Sequence, residues 1–391
     1  MFRHGSGATY TGRHTVIESS ASRRLVSVDV FRGVTMAAMV IVNTPGSWNQ
    51  VYWPLLHAEW HGWTPTDLIF PFFVFIVGVS IVLSGRSRGR VDGVLRRALW
   101  LYGLGLLLAL YPSFDFATVR LVGVLPRLAI CYLAAALVYR AMLGRSERAR
   151  LRGALVAAAM LLAGYWALMT FVPAPGGVAG DLSPSGNLGA WIDRTVIGEA
   201  HLWRQSKTWD PEGLLGTIPA IATALTGVAA GAWLTSARPA AWRAGILVAV
   251  GPLVIAAGLA WDRWFPINKN LWTSSYVLLT SGMASMMLGA TSLALDRRDG
   301  PLHWLARPFV VLGSNALLLF VLSGWLVKTI AWIEIASADG TQVSLYAWLY
   351  QHAFAPLAAP KNASLLFALA ALALLYAVLE VLYRRRWFLR V

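Results

Sequence analysis

The chain has 391 residues, 57% of them hydrophobic and only 13% charged, with 19 tryptophans and a formal net charge of +15. Soluble domains carry roughly a quarter charged residues, and the apolar runs here extend for about 20 residues, so an ordinary water-soluble fold is excluded. The runs are continuous rather than alternating, which argues against a β-barrel. Lys and Arg sit in loops between them rather than on a basic domain, which argues against nucleic-acid binding.

The pattern predicts an all-α, polytopic integral membrane protein. Residues 1–24 are polar, hold Arg3, Arg13, Arg23 and Arg24, and contain no apolar signal-peptide core. They are expected to form a cytoplasmic tail ahead of one transmembrane domain, 25–391. Ten spans are expected, at about 26–45, 64–84, 93–112, 121–142, 152–172, 212–235, 242–262, 271–295, 308–333 and 363–384. The longest loop, 173–211, is rich in Gly and Pro and is expected to order itself partly over a site. Residues 342–360 are moderately apolar but short, with Pro356 and Pro360, and read as a re-entrant or interfacial segment. The single cysteine, Cys131, lies within a span, so no intramolecular disulfide is possible. Of the 33 Lys and Arg, 23 fall in the tail and in 86–97, 140–152, 238–243, 297–307 and 384–390, all on one side of a ten-span path. That side is expected to be cytoplasmic, with both termini inside.

Polar groups inside or beside such spans carry the functional information. In "SVDVFRG", Asp29 and Arg32 stand at i and i+3 on one helix face, either as an intrahelical pair or as a phosphate-binding arginine. "HAEWHGWTPTD" places His57, Glu59 and His61 in the outer loop before the second span, among Trp48, Trp53, Trp60 and Trp63. Thr64-Pro65-Thr66-Asp67 reads as a helix start, with Asp67 as the acidic partner of a capping box. Arg127 stands about six residues, roughly 9 Å, inside the fourth span, where it either snorkels outward, lines a watery cavity or pairs with a group such as Asp67. "TWDPEGLLG" offers Asp210 as N-cap and Glu212 in the first turn of the sixth span. Asn268, Lys269 and Asn270 open the eighth with more donors and acceptors than a helix start needs. Asn315, in the ninth span, lies near the inner side and suits a hydrogen bond across helices. Lys328, Glu334 and Asp339 read as outer loop or snorkelling charges.

No HExxH, paired-cysteine, P-loop or GxSxG pattern is present, so metal-dependent chemistry and nucleotide hydrolysis have no support in the sequence. An outward His/Asp/Arg/Asn/Lys cluster fits two classes: a membrane transferase joining reactants from opposite faces, or a transporter for sugars or glycan fragments. No internal repeat relates two halves of the chain, as many transporters show.

The motifs "RLVSVDVFRG", "HAEWHGWTPTDLIFPFFVFIVGVSI", "VRLVGVLPRLAICYL", "DPEGLLGTI", "NKNLWTSSY" and "RRRWFLRV" resemble, in order, the heparan-α-glucosaminide N-acetyltransferase family. The resemblance implies acetyl-CoA from the cytosol as co-substrate, no metal, and an amino sugar or glycan acceptor on the far face of a bacterial inner membrane. It also implies a homodimer surrounded by lipid. The family's essential histidine falls on His57, while His61 stands where the family usually has Asn. The luminal domain and extra first span of animal members are not seen, so a muropeptide fragment or other periplasmic glycan is expected rather than heparan. On this reading His57 is the general base or an acetyl carrier, and Asp67 orients it. Asn268, Lys269, Asn270, Arg127, Asp210 and Glu212 are expected on the acceptor side, and Arg32, Arg96, Arg97 and Asn315 at the CoA end.

Overall fold

The computed structural model describes residues 25–84, 91–296, 304–336 and 341–389; the expected N-terminal tail and Asp339 lie outside the described residues. In chain order the helices are α1 (Val26–Asn43), α2 (Ile69–Leu83), α3 (Val91–Leu110), α4 (Val124–Ala141), α5 (Glu147–Phe171), α6 (Leu188–Val196), α7 (Thr217–Leu234), α8 (Ala240–Trp261) and α9 (Ser274–Leu295). Then come α10 (Arg307–Ser314), α11 (Ala316–Trp332), a two-stranded hairpin of β1 (Glu334–Ala336) and β2 (Gln342–Ser344), α12 (Leu345–Leu349) and α13 (Pro360–Arg384). Nine helices among the described residues are long and apolar enough to cross a membrane, and the bent pair α10–α11 makes a tenth. The all-α, multi-pass architecture read from the apolar runs is thus borne out.

Three departures from the sequence reading bear on the site. The ninth span arrives as two helices meeting at 81°; the break falls at Asn315, whose side-chain amide hydrogen-bonds to the backbone of Trp387 and Leu389. The sixth span starts at Thr217, not 212. Asp210 does not cap it; its carboxylate accepts the Glu212 N–H in a tight turn and binds an arginine. Residues 342–360 complete the hairpin and run on into short helical turns, from which Tyr346, Tyr350 and Phe354 pack on Phe367 of α13.

Several helix pairs touch backbone to backbone, and two of them approach most closely. A Cβ on Gly33 would lie 1.9 Å from the Phe309 carbonyl oxygen, and one on Gly313 1.9 Å from that of Asp29, so α1 and α10 meet without side chains between them. Gly78 and Gly227 do the same for α2 and α7, at 1.9 Å from the Ala224 oxygen and 2.0 Å from the Phe75 oxygen. Small residues at such crossings let van der Waals contact replace the hydrophobic drive that lipid cannot supply. Around these seams the main core gathers Val74, Ile81, Leu128, Tyr139, Leu225, Trp272 and Tyr276. The broad contacts of α8 with α9 and of α5 with α7 complete the frame. One end of the bundle carries the loops 53–68, 172–216 and 262–273; the other carries Arg32 and the chain end.

Candidate active site

The start of the second span forms as the capping-box reading requires. Pro65–Leu68 makes a 3-10 turn into α2, and Asp67 Oδ2 accepts the Thr64 N–H at 2.9 Å. The same oxygen accepts the Ala58 N–H at 3.1 Å. The other oxygen, Oδ1, is left to His57, whose Nδ1 lies 2.6 Å away. A carboxylate only accepts, so Nδ1 bears the hydrogen and Nε2 presents a lone pair. Capping and orientation are therefore both roles of one side chain. Asp67 is buried, with 1% of its side chain exposed, whereas the His57 side chain is 51% exposed. Thr66 and Thr64 hydroxyls donate to the carbonyls of Pro54 and Leu56 at 2.9 and 2.5 Å, tying the loop before His57 onto the turn after it. Tyr276 of α9 donates its hydroxyl to the Asp67 carbonyl.

The loop between α8 and α9 supplies the second half. The Gly62 N–H donates to the Ile267 carbonyl at 2.7 Å, and a parallel bridge joins Gly62 to Asn268. Asn268 is fully buried; its Oδ1 accepts the Leu271 N–H at 2.8 Å, and its Nδ2 lies 3.4 Å from His61 Nδ1. Its role is thus to shape the loop. That shape brings Lys269 Nζ to 3.3 and 3.4 Å from the two ring nitrogens of His57, against the ring rather than on one lone pair. Burial pushes the Lys269 ammonium below its ordinary range, opposed by the charges of Glu212 and Asp67. Three residues on, Trp272 adopts φ of 56°, a conformation a bulky residue rarely accepts. It is held there by complete burial, edge contacts with Phe70 and Tyr276, and an indole N–H donated to Thr223 Oγ1 at 3.1 Å.

Arg120, which the sequence reading passed over, organises the neighbouring carboxylates. Its Nε donates to Asp210 Oδ2 at 2.8 Å, and its Nη2 bonds both Asp210 Oδ1 and Glu212. Burial disfavours the Arg120 charge, but Glu212 and Asp210 outweigh burial and hold it charged more firmly than a free guanidinium. Burial likewise works against the Glu212 carboxylate, yet the Arg120 charge keeps its pKa lowered. A signal for Arg120 did exist: it is a basic residue in a loop that the charge bias reads as outer, where basic residues are disfavoured.

Arg127 neither snorkels nor pairs with Asp67. It is 1% exposed, donates Nη2 to the Gly213 carbonyl at 2.9 Å and lies 5.1 Å over the Trp272 ring. Its Nε and Nη1 make no hydrogen bond among the described residues. Together with Asn270, Asp193 and Asp210 it lines a separate polar cavity of about 20 Å³, room for a water molecule. There burial pushes the Asp193 carboxyl up to about 6. The long loop does order itself here: α6 carries Asp193, and the Trp60 indole N–H donates to the Leu182 carbonyl at 2.9 Å while its ring meets Trp209 edge-on.

Three cavities lie in series through the bundle. The central one, about 110 Å³, is lined by His57, Lys269 and Glu212 on its polar side and by Met36, Met39, Phe70, Phe73 and Phe320 elsewhere. An inner cavity of about 210 Å³ shares Phe73 with it and is lined by Arg32, Arg97, Ser80 and Tyr132. An outer cleft of about 600 Å³ shares Val124 and Phe320 with the central cavity and presents Arg120, Trp203, Arg204, Asp115 and Trp332. One face of α2 runs past both inner chambers, through Ile69, Phe70, Phe73, Val77, Ser80 and Ile81, the spacing of a single helical stripe.

At the inner end Arg32 lies 3.4 Å from Asp29, and donates to Ser80 Oγ at 2.8 Å and the Gly313 carbonyl at 3.3 Å. Arg97 stacks over Tyr132 at 4.8 Å with its Nε buried and without a hydrogen-bond partner among the described residues. Arg96 is exposed and outside the cavity lining. Asn315 uses both ends of its amide on the chain end, donating to the Trp387 carbonyl at 2.8 Å and accepting the Leu389 N–H at 2.9 Å.

Comparison with known proteins agrees with the motifs. Residues 24–183 match the sequence family described as heparan-alpha-glucosaminide N-acetyltransferase, catalytic. The chain is 32% identical over 362 residues to the Homo sapiens protein named heparan-alpha-glucosaminide N-acetyltransferase, a match covering 78% of this chain and 53% of that protein. It is 32% identical over 359 residues to the Mus musculus protein of the same name, covering 77% and 53%. The chain thus spans about half the length of the curated relatives it matches.

Proposed function

We propose, from the likeness of the chain to the heparan-α-glucosaminide N-acetyltransferase family, that it transfers the acetyl group of acetyl-CoA to the amine of an amino sugar or glycan across the membrane. The observation that carries this reading is the position of the His57–Asp67 pair. It stands on the wall of a chamber that opens towards a wide polar cleft on one side and is divided from a second, arginine-lined cavity by Phe73. On this reading the basic end is cytoplasmic and the donor enters there. Arg32 and Arg97 suit phosphate oxygens, and the partnerless buried Nε of Arg97 is a donor waiting for an acceptor. The acyl end of the donor passes Phe73 into the central chamber. The acceptor waits in the outer cleft, where Trp203 and Trp332 offer flat apolar faces beside polar groups.

In the chamber the neutral acceptor amine attacks the thioester carbonyl. The C–N bond forms, the C–S bond breaks, and the amine proton moves to His57 Nε2 and on to the departing thiolate. Asp67 keeps the hydrogen on Nδ1 and stabilises the transient imidazolium. The Lys269 ammonium, beside the ring, stabilises the oxyanion that develops on the carbonyl. Glu212, on the same wall, is favoured in its ionised form by Arg120, and its charge opposes the effect of burial on Lys269. His57→Ala in folded protein is expected to lower acetyl-CoA-dependent acetylation of glucosamine about 10²–10⁴-fold. Retention of near wild-type activity would rule out this role. An acetyl-enzyme burst in the absence of acceptor would instead make His57 the covalent carrier.

A further inference from the structure

The inner cavity is too small, at about 210 Å³, for the arm of a CoA thioester together with its nucleotide head. If the arm occupies it, the head lies at the mouth, and the mouth is shaped by the chain end. α13 stops at Arg384, and Arg386 takes φ of 58°, so the backbone reverses. The Arg386 and Trp387 N–H groups close the turn on the carbonyls of Tyr383 and Leu382 at 3.0 and 2.9 Å, and Phe388 packs edge-on against Tyr383. Buried Asn315, at the break between α10 and α11, then grips the Trp387 carbonyl and the Leu389 N–H. Leu389 is thereby set into the wall of the inner cavity, beside Gly313 and Ser314 and in company with Arg32 and Arg97.

A buried amide rarely commits both its donor and its acceptor to an otherwise exposed chain end; Trp387 is 63% exposed. The charges around this turn are unequal in their use. Arg384 is paired with Glu380 at 2.7 Å, but Arg385 and Arg386 are exposed and have no acidic partner among the described residues. Two guanidiniums without counter-charge, on a segment fastened to the rim of the donor cavity, make a site for phosphate oxygens.

Resting on the transferase reading above, we propose that the C-terminal turn, residues 385–389, is a wall of the donor site. In this role Arg385 and Arg386 bind those phosphates of the CoA head that lie outside the cavity, beyond the ones that Arg32 and Arg97 receive at its wall, and Asn315 is the residue that positions them. The test compares two donors on purified full-length protein in lipid nanodiscs: acetyl-CoA, and S-acetylpantetheine, which has the arm but no nucleotide. Arg385→Gln/Arg386→Gln is expected to raise KM for acetyl-CoA on the order of tenfold, leaving kcat and the KM for S-acetylpantetheine unchanged. Asn315→Ala is expected to shift KM for acetyl-CoA in the same direction while the arginines remain. Equal KM values for acetyl-CoA in wild type and both variants would reduce the turn to an interfacial anchor and overturn the proposal. So would a lower KM after deletion of residues 386–391, which would make the turn an obstruction. Wild-type protein inactive with both donors would instead sink the transferase reading itself.

Discussion

Asp67→Asn separates positioning of the proposed base from the integrity of the helix start. Asp67 Oδ2 receives two backbone donors, the N–H groups of Ala58 and Thr64, while Oδ1 receives only the His57 ring. An asparagine must place its carbonyl oxygen where the two N–H donors converge, since its amide nitrogen cannot accept. The NH₂ then faces His57 Nδ1 and donates to it. The ring takes the other tautomer, with the hydrogen on Nε2, and the lone pair needed by the acceptor amine is gone. Asparagine is itself a good N-terminal cap, so the turn persists. The loss of one charge-assisted hydrogen bond costs about 1.5–3 kcal/mol of stability. The rate should fall by the general-base contribution, roughly 10²–10⁴-fold. Initial rates of acetyl-CoA-dependent glucosamine acetylation in nanodiscs, alongside melting followed by tryptophan fluorescence, measure the two effects separately. If the variant melted as expected and retained activity within about threefold of wild type, His57 would not depend on Asp67 for its tautomer and the mechanism would be refuted.

Arg120→Met strands Asp210 and Glu212 as buried carboxylates, and should destabilise the protein by about 3–5 kcal/mol. Restoring neutrality with Asp210→Asn/Glu212→Gln should recover much of the melting temperature, and failure to recover it would deny the charge-pairing account. Phe73→Trp enlarges the side chain shared by the central and inner cavities, and is expected to raise KM for acetyl-CoA while leaving acceptor KM unchanged; steady-state kinetics with each substrate varied decides it. Asp193, raised from its ordinary 3.8 to about 6, binds its proton more tightly folded than unfolded. Its contribution, about 3 kcal/mol at one pKa unit per 1.36 kcal/mol, is therefore present below pH 4 and lost as pH rises to 6. Asp193→Asn should flatten that slope of melting temperature against pH, and an unchanged slope would assign it to another group.

The helices were legible because each span is written as a local run of apolar residues, and the His57–Asp67 neighbourhood because capping-box chemistry is local too. What escaped depends on contacts far apart in sequence. Arg127 offered a charge in a span, but its pairing with the Gly213 carbonyl and the Trp272 face joins three separate segments. Arg120 finds its carboxylates 90 and 92 residues away. Asp210 looked like a helix cap because Asp-Pro is a sound local start signal; the glycines at 213 and 216 and the pull of Arg120 moved the helix to Thr217. Asn315 has a recognisable depth in the sequence, but only the fold shows that it stands at the break of its span and holds the last residues of the chain.

The backbone contacts at Gly33, Gly313, Gly78 and Gly227 also bear on time. Rocking one set of helices against another, a motion of microseconds to milliseconds, would have to part α1 from α10 or α2 from α7 along seams with no side chains to yield. Rotation of a side chain such as Phe73 needs no such separation, and rotamer changes lie at the fast end of protein motion. On the proposed path, donor entry then needs side-chain rotation rather than the parting of these seams, and turnover would be set by the acyl transfer itself or by departure of the products.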